Sequence, residues 1–124
     1  MSRKTVLLAL AAIGLPVFAA HAAGNAEEGK ATFQKTCGLC HATEAGKTKI
    51  GPSLHDVVGR VAGTLPGYSY SEAMKKYHQK WTPDELEHYL EDPRKHVPGT
   101  KMIFAGLKDE KQRDDVVAYL ETLK

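Results

Sequence analysis

The chain has 124 residues, of which 17 are lysine or arginine, 15 are acidic and only two are cysteine. Two of the basic residues and none of the acidic ones lie in the first 22 positions, so the rest of the chain carries fifteen charges of each sign. This balance disfavours a general nucleic-acid binder, which would carry a basic excess, and the length fits one small domain.

The first 22 residues have the pattern of a secretory leader. Arg3 and Lys4 precede an apolar segment over residues 6–18, and a small-x-small sequence ends at Ala22. We predict a signal peptide over residues 1–22, cleaved after Ala22, and one domain over residues 23–124. An uncleaved membrane anchor is the alternative. The apolar segment is shorter than the roughly 20 residues that span a bilayer, so we expect no stable membrane insertion.

The domain begins with a predicted helix. Asn25, followed three residues later by Glu28, resembles a capping box, and the helix is predicted to run to about Thr36. Gly29 and Phe33 share one face of this helix. Because glycine within a helix costs about 1 kcal/mol relative to alanine, we expect a close helix crossing at Gly29.

Three more helices are predicted further along the chain. N-cap signals predict a short helix after Ser71, a second after Thr82 and a last one after Asp109. The second ends near residue 91, because Pro93 disfavours helical geometry at the residue before it. Residues 42–70 are rich in glycine and proline and show no sustained period. No alternating strand pattern occurs, so the predicted fold class is all-α, with four to five helices and long loops.

The sequence Cys37-Gly38-Leu39-Cys40-His41 holds both cysteines, with a histidine directly behind the second. This C-x-x-C-H spacing is the attachment pattern of haem c. Each thiol can form a thioether with one haem vinyl group, and His41 is then placed to coordinate the iron. A haem would also give the long loop a large surface to pack on, which a structureless loop of this length otherwise lacks.

Three other uses of the cysteines remain open. Export would bring them into an oxidising compartment, where a disulfide is a competitor. A thiol–disulfide oxidoreductase would use the same C-x-x-C spacing, but in a βαβ context that the sequence lacks. A zinc site on Cys37, Cys40 and His41 has no obvious fourth ligand at the usual spacing.

With these elements placed, the chain resembles the class I cytochrome c family, close to the mitochondrial type. The resemblance covers nearly all of residues 23–124 and is carried by the C-x-x-C-H motif and by Pro98-Gly99-Thr100-Lys101-Met102. Shorter matching segments are Gly51-Pro52-Ser53-Leu54, Arg60, Pro66-Gly67-Tyr68-Ser69-Tyr70, Trp81 and Ala118-Tyr119-Leu120. The chain departs from that form at Met74, where an asparagine is common, and in a loop before Pro52 that is one residue shorter.

The resemblance implies a small single domain wrapped around one covalently bound haem. Cys37 and Cys40 would hold the haem, and His41 and Met102 would be the axial iron ligands. The Pro52 carbonyl would accept a hydrogen bond from His41. The implied propionate partners are Arg60, Tyr70 and Trp81, and the implied neighbours of the Met102 sulfur are Tyr89 and Thr100. The rival sixth ligands are His55, His78, His88 and His96.

Iron held by a histidine and a methionine has no open coordination position, which favours outer-sphere electron transfer over catalysis. We therefore expect a soluble, monomeric one-electron carrier of the periplasm that is not an enzyme. A haem enzyme with five-coordinate iron, such as a peroxidase or a gas sensor, is the alternative.

The resemblance also implies the partners of such a carrier. The donor would be a quinol-oxidising cytochrome complex or a periplasmic dehydrogenase, and the acceptor a terminal oxidase, a peroxidase or a photosynthetic reaction centre. We expect them to dock at a lysine-rimmed haem edge. The lysines of that rim are Lys35, Lys47, Lys49, Lys95, Lys101 and Lys108.

Overall fold

The structure, a computed structural model, describes residues 24–124, and the predicted signal peptide lies outside this range. Five helices follow one another: α1 (Ala26–Thr36), α2 (Glu72–Tyr77), α3 (Pro83–Glu91), α4 (Pro93–His96) and α5 (Glu110–Glu121). Over the described range, β pairing is limited to an isolated bridge between Val61 and Lys80. The all-α prediction is therefore confirmed. None of the five helices is long and apolar enough to cross a membrane.

Helix α4 is the element that the sequence analysis did not predict. Asp92 ends α3 in an extended conformation and also caps α4, where its side chain accepts a hydrogen bond from the Lys95 amide at 3.2 Å. Pro93 is buried at the first position of α4, where the missing amide proton would be unpaired in any residue. Four residues are too few to show a helical period.

The start of α1 is capped differently from the prediction. Asn25 accepts hydrogen bonds from the Glu27 and Glu28 amides at 3.0 and 3.1 Å, as an N-cap should. A capping box would also contain a hydrogen bond from the Asn25 amide to the Glu28 side chain. This bond does not form, because the Asn25 amide donates to the Asp115 carboxylate of α5 at 2.7 Å. Glu28 instead pairs with Lys111. The buried carboxylate of Asp115 thus ties the start of α1 to α5.

Helices α1 and α5 cross closely at Gly29, which explains the glycine inside a helix. A Cβ atom on Gly29 would lie 1.8 Å from the Asp115 carbonyl oxygen, so a larger residue would push the helices apart. Beside the crossing, the rings of Phe33 and Tyr119 meet edge to face with centroids 5.3 Å apart. This helix pair forms one side of the apolar core.

The long loops are tied down by backbone hydrogen bonds. The Gly59 amide donates to the Trp81 carbonyl and the Trp81 amide donates to the Arg60 carbonyl, both at 2.8 Å. On another side of the core, the Leu107 amide donates to the Leu90 carbonyl of α3, also at 2.8 Å. These bonds hold segments distant in sequence against the same core.

The link between α1 and α5 predicts a pH-dependent stability. Hydrogen bonds from Lys111 and the Asn25 amide hold the pKa of the buried Asp115 carboxyl below its usual range. Its contribution is therefore present above the unfolded pKa and is lost as the pH falls through the lower folded pKa. We expect Asp115→Asn to reduce the free energy of unfolding by about 1–3 kcal/mol at pH 7.

Denaturant unfolding of the holoprotein at pH 7 and at progressively lower pH measures this effect. The difference between Asp115→Asn and the parent should shrink as the pH falls, because a protonated aspartate resembles the amide. The matched control is Glu121→Gln on the exposed side of α5, which should change the stability little at either pH. A deficit in Asp115→Asn that did not depend on pH would contradict the assignment.

Candidate cofactor site

A cavity of about 350 Å³ lies against the apolar core, with walls that include Phe33, Leu86 and Val116. The ten residues that the resemblance assigns to the haem, to its iron or to the iron ligands all line this cavity: Cys37, Cys40, His41, Pro52, Arg60, Tyr70, Trp81, Tyr89, Thr100 and Met102. Its lining does not include His55, His78, His88 or His96, the rival ligands. The fold therefore brings together residues that are spread over more than half of the chain.

The two cysteines lie in a turn that follows directly from α1. Cys37 ends the helix, and the amides of Cys40 and His41 both donate to its carbonyl, at 3.0 and 2.9 Å. Both thiols are free. Burial raises the pKa of the Cys37 thiol. A reactive C-x-x-C pair depends on a lowered thiol pKa, so this environment does not suit thiol–disulfide exchange.

The imidazole of His41 is held in one orientation. Its Nδ1 lies 2.7 Å from the Pro52 carbonyl oxygen. Since a carbonyl only accepts, Nδ1 carries the proton and Nε2 keeps its lone pair. Gly51 lies flat against the ring, because a Cβ atom there would be 2.4 Å from His41 Cε1. Burial lowers the pKa of His41, which favours the neutral imidazole that metal ions bind.

Met102 enters the cavity from the loop between α4 and α5. The Met102 amide donates to Thr100 Oγ1 at 3.3 Å, and the Thr100 and Tyr89 hydroxyl oxygens are 2.9 Å apart. The two hydroxyls therefore fix the backbone at Met102, whereas the resemblance implied contacts with its sulfur. The loop is anchored to α3 beyond this point, since a Cβ atom on Gly106 would lie 2.0 Å from the Glu91 carbonyl oxygen.

Hydrogen-bond donors gather in another part of the lining. Arg60 is half-buried, and two of its N–H groups donate to backbone carbonyls, those of Ser53 at 3.1 Å and His55 at 3.3 Å. Its other donors remain for an anion. Tyr70 and Trp81 also line the cavity, and the hydrogen bond from the Trp81 amide to the Arg60 carbonyl keeps those two residues adjacent.

These residues fit a haem. Two thiols and an oriented imidazole come from one turn, and a thioether comes from a separate loop. Imidazole and thioether are both common axial ligands of haem iron. The guanidinium, phenol and indole groups are donors that suit carboxylates, and the apolar walls suit a flat macrocycle. No cluster of three or more histidine, cysteine or acidic side chains suited to a metal ion occurs in residues 24–124.

Several lining residues were not predicted from the sequence. Met74, named above only as a departure from the resembling family, is buried on α2 and lines the cavity. Leu54, Tyr68 and Phe104 line it too. Leu54 and Tyr68 belong to the matching segments and Phe104 closely follows one, and this position was the one signal that could have identified them.

Apolar and basic side chains surround the open side of the site. Leu39, Ile50 and Ile103 are 80%, 72% and 90% exposed, and Ile50 and Ile103 line the cavity. Lys101 also lines it and donates to the Ser69 carbonyl at 2.7 Å, while Lys49 contacts the Gly38 carbonyl between the cysteines.

The remaining lysines of the predicted rim differ in their surroundings. Lys47 pairs with Glu44 at 3.5 Å and Lys108 with Asp92 at 3.7 Å. Lys35 and Lys95 form no ion pair within residues 24–124.

Comparison of the sequence and the fold with known proteins identifies cytochromes c in each case. The family model described as Cytochrome c matches residues 26–124. A cytochrome c2 of Rhodopila globiformis is 54% identical over 101 residues, which cover 82% of this chain and 95% of that protein. A cytochrome c of Euglena viridis is 48% identical over 101 residues, covering 82% and 99%. The solved structure of cytochrome cH from Methylobacterium extorquens superposes with a TM-score of 0.76 at 45% identity, covering 80% and 99%.

The contact between Gly51 and His41 yields a prediction. Gly51→Ala places a methyl group where the imidazole lies, so the ring must move and its bond to Pro52 must weaken. We expect the ferric electron paramagnetic resonance (EPR) spectrum of the haem-loaded variant to change, together with a loss of about 1–3 kcal/mol in stability.

The matched control is Gly46→Ala. Gly46 has φ +72° and no atom near its Cβ position, so this variant suffers backbone strain without touching the ring. It should lose stability and keep the parent EPR spectrum. Identical spectra for Gly51→Ala and the parent would contradict the role given to this contact.

Proposed function

The chain belongs to the cytochrome c family, and from that premise we propose that it shuttles single electrons between periplasmic redox proteins. The family binds one covalent haem c, which supplies a one-electron Fe(III)/Fe(II) couple when bound. The observation that carries the proposal is that all ten predicted site residues line the same cavity.

In this proposal the turn after α1 attaches the cofactor and supplies one axial ligand. Cys37 and Cys40 would hold it through two thioethers, and His41 would bind iron through Nε2. The hydrogen bond from Nδ1 to Pro52 fixes the ring and raises its basicity as a ligand.

Met102 would supply the second iron ligand in this proposal. A thioether is soft and neutral, so it favours ferrous over ferric iron and raises the reduction potential. Tyr89 and Thr100 keep the Met102 backbone in place. Iron bound by both His41 and Met102 would keep no coordination position for a substrate, which favours a carrier over a peroxidase or a gas sensor.

Arg60, Tyr70 and Trp81 are proposed to bind the propionates. Burying two carboxylates without partners is unfavourable, and the half-buried Arg60 guanidinium supplies the positive charge. The Tyr70 phenol and the Trp81 indole N–H, which line the same cavity, would add neutral hydrogen bonds to the carboxylates.

The proposed docking face comprises the exposed apolar residues Leu39, Ile50 and Ile103 together with Lys49 and Lys101. Lysines attract an acidic partner from a distance, and apolar contact then excludes water. The proposed donor is a quinol-oxidising cytochrome complex or a periplasmic dehydrogenase. The proposed acceptor is a terminal oxidase, a peroxidase or a photosynthetic reaction centre. The leader-like residues 1–22 support export.

Replacement of Met102 tests the ligand assignment. Met102→Ala should abolish the sulfur-to-iron charge-transfer band of the ferric protein and lower its reduction potential. Added imidazole should bind at least tenfold more tightly than to the parent, which corresponds to about 1.4 kcal/mol. Met74→Ala is the matched control, because it removes the other thioether of the cavity and should retain the band. Loss of the band in Met74→Ala alone would overturn the assignment.

Salt dependence tests the docking face. The second-order rate of electron transfer from a purified quinol-oxidising cytochrome complex should fall as ionic strength rises. Replacing both Lys49 and Lys101 with alanine should lower the rate about tenfold at low salt and flatten its salt dependence. Lys30→Ala, an exposed lysine of α1, is the control and should behave like the parent. A rate independent of salt would contradict an electrostatic docking face.

A further inference from the structure

Side chains from α2, α3 and α4 meet at the imidazole of His96. His96 Nε2 lies 2.6 Å from the Glu85 carboxylate of α3 and 2.9 Å from the Tyr77 hydroxyl oxygen of α2. The side chains of His96 and Glu85 are 27% and 26% exposed, so the pair is mostly shielded from solvent but still in contact with it. The electron transfer described so far gives this group no role.

The hydrogen bonds determine which nitrogen of His96 can gain a proton. A carboxylate only accepts hydrogen bonds, so Nε2 carries a proton and donates it to Glu85. Nδ1 has no hydrogen-bond partner within residues 24–124, so it holds the lone pair of the neutral ring. The pair of Glu85 and His96 therefore carries one negative charge when the ring is neutral, and no net charge when Nδ1 is protonated.

The pair lies directly behind the wall of the cofactor cavity. The His96 ring meets the ring of Tyr89 with centroids 6.3 Å apart, and Tyr89 lines the cavity. Tyr77 contacts the ring of Trp81, another buried lining residue, with centroids 5.8 Å apart. Since charges interact more strongly through buried side chains than through water, the charge of the pair acts on whatever occupies the cavity.

A second histidine lies next to His96 but is more open to solvent. The rings of His88 and His96 have centroids 6.1 Å apart. The His88 side chain is 54% exposed, and its Nδ1 lies 3.7 Å from the Asp84 carboxylate. Solvent and salt therefore screen a charge on His88 more than one on His96.

The other ionisable groups near the His96 ring are phenols, carboxylates and basic side chains. Phenols, lysine and arginine ordinarily titrate well above neutral pH and carboxylates well below it, whereas imidazole changes its charge near neutral pH. Burial raises the pKa of the Tyr89 phenol further. The groups that contact or adjoin the ring are Tyr77 of α2, Asp84, Glu85, His88 and Tyr89 of α3, and Asp92, Arg94 and Lys95 beside it at α4.

We propose that His96 takes up a proton at Nδ1 when the haem accepts an electron, so that electron transfer by this chain is coupled to pH. The electron comes from the redox donor and the proton from water, and both leave again on oxidation. An added electron favours the pair with no net charge over the pair with one negative charge. By reciprocity, the reduction potential falls as the pH rises through the range in which the ring loses its proton.

The inference rests on the proposed electron-carrier function, but it does not depend on which ligand lies opposite His41. A parent protein that shows the His96-dependent fall in potential and lacks the sulfur-to-iron band would support the inference and contradict the assignment of Met102. The failure of one is therefore distinguishable from the failure of the other.

The test combines two measurements on the holoprotein between about pH 5 and pH 8. Spectroelectrochemistry gives the reduction potential, and nuclear magnetic resonance (NMR) follows the titration of His96 in each oxidation state. The proton affinity of His96 should be about two- to tenfold higher in the reduced protein, and the potential should fall over the same pH range. Equal proton affinities in the two oxidation states would overturn the proposal, and this comparison needs no variant.

Three variants assign the effect to the pair. His96→Gln removes the titrating ring but keeps an N–H donor for Glu85, so it should lose the fall in potential that follows His96. Glu85→Gln removes the negative charge at nearly constant size and should raise the potential at about pH 8. His88→Gln, which removes the more exposed neighbouring histidine, is the matched control and should keep the fall. An unchanged fall in His96→Gln, or its loss in His88→Gln alone, would contradict the proposal.

Discussion

The cavity in the apolar core is the constraint on which the rest of this molecule depends. A domain of this size buries too little apolar surface to be very stable by itself, and here the core side chains Phe33, Leu86 and Val116 also form the cavity walls. The crossing of α1 and α5 supports one side, and α3 supports another. The residues that stabilise the fold are therefore the ones that would enclose the haem, so stability and redox behaviour are coupled.

The chain brings its two proposed iron ligands to this cavity in different ways. His41 is placed locally, by a turn continuous with α1 and by a hydrogen bond to a carbonyl eleven residues away. Met102 is placed by a loop whose ends are fixed elsewhere. The Val97 amide donates to the Pro93 carbonyl of α4, and the Leu107 amide donates to the Leu90 carbonyl of α3, at 2.9 and 2.8 Å. Both ligands are thus held by backbone contacts that electron transfer need not disturb.

The sequence predicted those features that depend on neighbouring residues. N-caps at Asn25, Ser71, Thr82 and Asp109 are all present in the structure, because a cap is a bond between residues two or three apart. Helix α4 is too short to have a periodic pattern. The reciprocal capping-box bond could not be judged from the sequence, because the acceptor that replaces Glu28, Asp115, is ninety positions away. A rule that considers only neighbouring residues does not include such a partner.

In the site, too, local sequence patterns were predictive and contacts between distant residues were not. The C-x-x-C-H motif indicated three of the ten residues that meet at the cavity, and the family resemblance implied the rest, although their roles toward the haem stay predictions. Met74 was named in the sequence only as a departure from the asparagine that is common at this position, since nothing in its own helix indicates what it faces.

Carbon-13 labelling of the methionine methyl groups tests the central claim most directly. In the reduced holoprotein, the methyl resonance of a methionine bound to haem iron is shifted far upfield by the ring current of the macrocycle. We predict one such resonance, absent from Met102→Ala and retained in Met74→Ala. If every methionine methyl of the reduced protein resonated in the ordinary range, the iron would not be held between His41 and Met102 and the account would be wrong.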